Sequence, residues 1–187
     1  SCVKFLFFMF INQKILKFLI FLISFNIFSS IAQTNEDVPL NNMAISENPK
    51  PISSLIFEDF SGKQINLSDY HGKLVIINFW TTWCAPCKRE MPSLDNLYKN
   101  ESFNNLQIFA VNVEQPNTLK TKKFFSELNI QKLEIFFDKY LNFVKEFKLR
   151  GVPTTVLINK KGEEFARIIG EVNFQDKKFL EWLLKYD

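Results

Sequence analysis

The chain has 187 residues, 47% of them hydrophobic and 16% aromatic, a length and composition that suit one domain with a sizeable core plus an extension and exclude a disordered or low-complexity protein. Its formal charge of +3 is matched by three lysines near the start, Lys4, Lys14 and Lys17, so the remainder is neutral and carries no electrostatic footprint for nucleic acid. Two of its three cysteines lie three positions apart, Cys84 and Cys87, while Cys2 sits in the basic start.

Residues 1–32 contain no acid, and their lysines precede the apolar run Phe18 to Phe28 ("FLIFLISFNIF"). Small residues follow at Ser30 and Ala32, the −3 and −1 places before Gln33, which is the pattern of a secretory signal. The stretch Phe18 to Ala32 is shorter than the roughly 20 residues that span hydrocarbon. Residues 1–32 are therefore expected to be a cleaved signal peptide, with a retained N-terminal membrane anchor as the alternative. Both put the rest outside the cytoplasm, in a periplasm-like compartment, because basic flanks stay inside.

Residues 33–53 are polar, contain Pro39, Pro49 and Pro51 and show no apolar periodicity, so they are expected to form a flexible tether to a domain over 54–187. "SLIFEDF", the turn "SGK" and "QINL" predict a β-hairpin, with Ser68 capping the turn "SDYHGK". Leu74 to Trp80 ("LVIINFW") is apolar almost throughout, as a strand covered on both faces should be. A helix is expected from about Cys84 to Lys99, bent near Pro92. "LQIFAVNV" predicts a second buried strand, followed by a helix around Thr118 to Leu128, a short strand "EIFF" and a helix around Tyr140 to Phe147. "PTTVLIN", "KKGE" and "EFARII" form an antiparallel pair, and Asn173 is expected to cap a terminal helix ending near Tyr186. The fold class is thus α/β, a central mixed sheet flanked by helices with an N-terminal β-hairpin extension.

The cysteine pair has three readings. A tetrahedral metal site needs about four ligands, and the only His, His71, precedes the pair with no other Cys or His after it, so no metal site is expected. A structural disulfide stabilises by closing a loop, and this loop is minimal. A redox pair is favoured by position: Cys84 falls where strand gives way to helix, so its sulfur meets unpaired N–H groups and the positive end of the helix dipole, which favours the reactive thiolate. Cys87, one turn on, would resolve a mixed disulfide.

"NFWTTWCAPCKREMPSL" together with "GVPTTVLINKKGE" resembles the thioredoxin superfamily, and more narrowly the TlpA-like and ResA-like extracytoplasmic thiol-disulfide oxidoreductases, some of which serve cytochrome c maturation. The resemblance runs from about Ile56 to the C-terminus. It implies a thioredoxin-like fold, catalytic Cys84 and Cys87, and a cis-proline at Pro153 that turns the Val152 backbone toward a substrate paired as an extra strand. It implies protein disulfide or thiol clients, a membrane electron donor, no cofactor and a monomer. Trp83 would shield the sulfur and offer an apolar docking surface, while Trp80 belongs to the core.

Two positions depart from thioredoxins, which carry a buried Asp and a Lys where this chain has Asn78 and Ala110. An amide cannot take a proton, so another base is needed for Cys87, and Asn78→Asp is expected to speed resolution. Glu114, ending the "AVNVE" strand, is one candidate, with a solvated loop acid as the plain alternative. Glu90 resembles a recurring acid of the TlpA-like branch, with a surface helix residue in an ion pair as its plain alternative. Ala85 stands where ResA-like members often have Glu. Two other functions share the fold: a thiol peroxidase, since Thr81-Thr82-Trp83-Cys84 is similar to the T-x-x-C of peroxiredoxins but lacks their preceding Pro, and a non-catalytic copper chaperone, which would need a His beyond His71.

Overall fold

The computed structural model describes residues 38–52 and 55–187. The expected signal or anchor at 1–32 and the first part of the expected tether lie outside them. In chain order the strands are β1 (Met43–Pro51), β2 (Ile56–Asp59), β3 (Gln64–Asn66), β4 (Leu74–Trp80), β5 (Leu106–Asn112), β6 (Ile135–Phe137), β7 (Thr154–Ile158) and β8 (Glu163–Ile169). The helices are α1 (Ala85–Tyr98), α2 (Thr118–Glu127), α3 (Asn142–Glu146) and α4 (Lys177–Leu183), with 3-10 turns at Leu67–Tyr70 and Leu184–Tyr186.

One mixed sheet runs in the order β1-β8-β7-β4-β5-β6-β2-β3. β4, β5 and β6 are parallel, and β7, β8, β1 and the β2–β3 hairpin add antiparallel pairs on either side. Because side chains alternate along a strand, β4 feeds two cores. Leu74, Ile76 and Trp80 join the cluster with Met91, Leu94, Phe174, Phe179 and Trp182. Val75, Ile77 and Phe79 join the opposite cluster with Phe57, Phe109, Phe143 and Phe147. Trp80 is fully buried, stacked on Phe124 at 4.6 Å between centroids, a contact worth about 1 kcal/mol beyond its buried area. The same alternation puts Asn78, between Ile76 and Trp80, on the face that α1 covers.

Most expected elements form, and several boundaries move for identifiable reasons. The tether reading fails over Met43–Pro51, which pairs with β8 at the sheet edge. Prolines are tolerated there because an edge strand leaves alternate N–H groups unpaired, and the pairing slips between Ile45 and Lys50. The turn after β3 is capped by Asn66, whose side chain accepts from the Ser68 N–H at 3.1 Å; Ser68 itself is not the cap. α3 starts later than expected because buried Asp138 accepts from the N–H groups of Asn142 at 2.8 Å and Val144 at 3.0 Å. α4 is capped by Asp176, bonded by the Phe179 N–H at 3.0 Å, while Asn173 closes the preceding turn on the Gln175 N–H. Among the described residues no helix is long and apolar enough to cross a membrane.

Candidate active site

Cys84 is the N-cap of α1, and its Sγ accepts from the Cys87 N–H at 3.2 Å. Pro86 sits in the first turn, where a missing N–H costs nothing. The two sulfurs form a disulfide with the Cα atoms 5.3 Å apart. Cys87 is fully buried and Cys84 nearly so, while the neighbouring Trp83 is 71% exposed. The exposed Trp83 indole thus stands directly beside a cysteine that keeps only 4% of its surface open.

The Val152–Pro153 peptide bond is cis. β7 starts directly after it, and the Pro153 carbonyl accepts from the Gly170 N–H at 2.9 Å, which ties this loop to the turn that follows β8. Gly170 has φ +89, a left-handed conformation that suits glycine.

Glu90 is not the surface residue of its plain alternative. It lies on α1 one turn beyond Cys87, on the same inward stripe, and is only 2% exposed. Its Oε1 accepts from Asn78 Nδ2 at 2.8 Å and its Oε2 from the Val172 N–H at 3.0 Å. Burial raises its pKa from 4.5 to about 7; the Asn78 and Val172 donors oppose this and the nearby Glu171 charge adds to it. The carboxyl therefore changes charge near neutral pH, the property a proton carrier needs.

Asn78 also donates from Nδ2 to Thr155 Oγ1 at 3.0 Å, its partner in the β4–β7 register. Its Oδ1 is buried without a hydrogen-bond partner among the described residues. Turned over, the same amide would accept from a protonated Glu90 and from the Thr155 hydroxyl, so it can serve both charge states of the acid. Ala110 is the parallel register partner of Asn78 on β5.

Glu114 faces another task. Its Oε2 accepts from the Thr82 N–H at 3.3 Å, and its Oε1 accepts from Thr82 Oγ1 at 2.7 Å and from Lys120 Nζ at 3.2 Å. Both oxygens are spent on fastening the loop before Cys84. Glu114→Gln is accordingly expected to change the rate of disulfide resolution by less than about threefold, as stopped-flow traces of the two proteins would report.

The sequence reading passed over Thr155, Arg89, Glu171 and Val172. A signal did exist for the burial of Glu90: Cys87, Glu90, Met91, Leu94 and Asp95 follow the i, i+3, i+4, i+7, i+8 spacing of one buried face. No local pattern marked the others: Thr155 meets the site across the β4–β7 pairing, and Arg89, Glu171 and Val172 come together only at the turn after β8.

The AhpC/TSA family model matches residues 50–163. Thiol-disulfide oxidoreductase ResA of Halalkalibacterium halodurans is 38% identical over 110 residues, which are 59% of this chain and 61% of that protein. The protein of the same name from Bacillus thuringiensis is 34% identical over 136 residues, 73% of this chain and 76% of its own length. The crystal structure of StoA from Bacillus subtilis superposes with a TM-score of 0.60 at 26% identity, over 72% of this chain and 98% of that one. A family match across more than half the residues and a disulfide at the start of α1 agree: the chain belongs to the AhpC/TSA family, as a thioredoxin-fold member of the thiol-disulfide oxidoreductase kind.

Proposed function

We propose that this protein is an exported thiol-disulfide oxidoreductase that reduces protein disulfides through Cys84 and Cys87. The carrying observation is the disulfide at the α1 N-terminus, with a buried carboxyl that titrates near 7 one turn beyond it. In the reduced protein, the Cys84 thiolate attacks a client disulfide, forms a mixed disulfide and expels one client thiolate. Cys87 passes its proton to Glu90 and attacks the Cys84 sulfur. The mixed bond breaks, the second client thiolate leaves and Cys84–Cys87 is oxidised, so two electrons have gone to the client. A dithiol on a membrane electron donor returns the pair to the reduced state by the same exchange in reverse. Trp83 and the Val152–Pro153 loop flank the sulfur as the client-docking residues.

The direction rests on the side chains around Cys84, which add little charge to the stabilisation that the α1 N-terminus gives its thiolate. The nearest cation along the helix, Lys88, is engaged with Glu127 at 3.2 Å, and Ala85 and Pro86 bring no charge. A reduced form with modest stabilisation gives a low potential, as in reductants, whereas strong oxidants owe their potential to a stabilised thiolate. The expected value is below about −200 mV, measured by equilibration with a dithiol buffer. The N-terminal signal pattern supports an extracytoplasmic location, and cysteine-bearing cytochrome c apoproteins are the client class that the resemblance to ResA-like enzymes suggests.

Cys84 should be the sulfur that alkylates first. Brief treatment of the reduced protein at neutral pH, followed by peptide mapping, is expected to find the label on Cys84, with Cys87 protected by burial. Cys87→Ser should then accumulate the mixed disulfide with a model protein substrate. Equal labelling of both sulfurs, or a Cys87→Ser protein that turns over normally, would overturn the assignment. Consumption of peroxide at rates above those of protein disulfide reduction would point instead to a thiol peroxidase.

A further inference from the structure

The turn after β8, from Ile169 to Val172, touches the site at two points: the Gly170 N–H donates to the Pro153 carbonyl and the Val172 N–H donates to Glu90. The turn is short and carries a glycine, so something must hold it. On the outside, Arg89 of α1 makes a bidentate pair with Glu171. From the other side comes Asn42, the residue just before β1. Its Nδ2 donates to the Ile169 carbonyl at 3.1 Å and to the Glu171 carbonyl at 3.1 Å, and its own carbonyl accepts from the Ile169 N–H at 3.1 Å. Three hydrogen bonds thus join one exposed asparagine, in the stretch read from sequence as a tether, to the backbone that carries the Glu90 donor.

We propose that Asn42 is a positioning residue for the redox site: by fixing the Ile169–Val172 turn it keeps the Val172 N–H on the Glu90 carboxylate and the Gly170 N–H on the Pro153 carbonyl. The groups that act on Glu90 are Asn78 from β4, with Thr155 of β7 behind it, and Val172 and Glu171 from the turn; on its own helix Cys87 lies one turn back on the same stripe, while Arg89 points outward to Glu171. Of these, only the turn residues can be displaced without changing a side chain at the site. The turn acts on Glu90 in two ways: its Val172 N–H favours the carboxylate, while its cover keeps water away, and burial is the larger effect. The partly exposed Glu171 charge, screened by Arg89, favours the neutral acid only weakly. Loosening the turn lets water reach the carboxylate, so Asn42 removal should lower the proton affinity of Glu90. The strand that continues from the N-terminal segment thereby takes part in setting the chemistry of the buried acid.

The Glu90 part of this inference rests on the acid serving Cys87, and the test separates the two claims. The Glu90 carboxyl resonance of the oxidised protein would be titrated by NMR in the wild type, in Asn42→Ala and in Ser46→Ala. Among the described residues the Ser46 hydroxyl bonds the Asn48 carbonyl within β1, so its loss perturbs the same strand without touching the turn. Asn42→Ala is expected to move the midpoint down by about half to one pH unit, with Ser46→Ala at the wild-type value. The pH inflection of mixed-disulfide resolution, followed by stopped-flow with a quenched peptide disulfide, should move by the same amount. An Asn42→Ala protein with a lowered melting temperature and an unmoved Glu90 midpoint would make Asn42 purely structural and overturn the proposal. If the midpoint moves while Glu90→Gln resolves with the wild-type pH profile, Asn42 still positions Glu90 and it is the role of Glu90 as base that falls.

Discussion

Glu90→Gln is expected to slow resolution of the mixed disulfide about a hundredfold at pH 8, with little change in the first attack by Cys84. General-base assistance contributes about 10² to 10⁴ in rate, and the low end applies because hydroxide and solvent remain as alternative acceptors. Single-turnover stopped-flow resolves the two phases, and an equal loss in both would mean that the variant disturbs the helix start rather than proton transfer. The same substitution should flatten the dependence of stability on pH. Glu90 has a folded pKa of about 7, above its ordinary 4.5. A group raised in this way contributes its stability in full below its unfolded pKa and loses it as the pH rises through the folded one. Between about pH 4.5 and 7 the wild type should lose about 3 kcal/mol at this site, and Glu90→Gln should not. Denaturant melts of both proteins at pH 5 and pH 8 measure that slope.

Asn78→Asp should destabilise the protein by about 3 kcal/mol at pH 8 and by clearly less at pH 5. The amide nitrogen is 2.8 Å from Glu90 Oε1, so an aspartate there places two carboxyls in contact inside the core. Like charges at that range push each other's proton affinity upward, and the pair titrates as a unit. Both folded pKa values then exceed the unfolded ones, so the cost grows with pH and is relieved by acid. The sequence also suggested a loss of stability, and beside it a benefit, a missing base restored and resolution accelerated. That expectation took Asn78 for a deficit, whereas the buried acid is present and reaches the same place from α1. A variant that melts like the wild type at pH 8 would show that the two side chains separate on substitution.

The parts of the site that follow from local chemistry could be read directly from the residues. A strand apolar at all positions but Asn78, a Trp-Cys-x-Pro-Cys turn and a helix make a cysteine the N-cap wherever that run folds, because the cap position is fixed by chain order. The hairpin and most helix starts carry their own turn and cap residues. Where the capping side chain is one of several nearby, as with Asn66 against Ser68 or Asp176 against Asn173, the choice fell to packing rather than to propensity.

The sequence by itself determined the fold class, the disulfide-forming cysteine pair and the Gly-Val-Pro-Thr loop, all encoded within short stretches whose geometry depends on neighbours in the chain. Only the tertiary structure decided that Glu90 is a buried acid, that Asn78 is its hydrogen-bond donor and that Met43–Pro51 is a strand. A carboxyl on a helix is solvated or buried according to what packs over its face, here the turn after β8, 82 residues further along. An edge strand with two prolines and one buried side chain has almost no hydrophobic signal of its own, and exists because β8 offers it an unpaired row of backbone donors and acceptors.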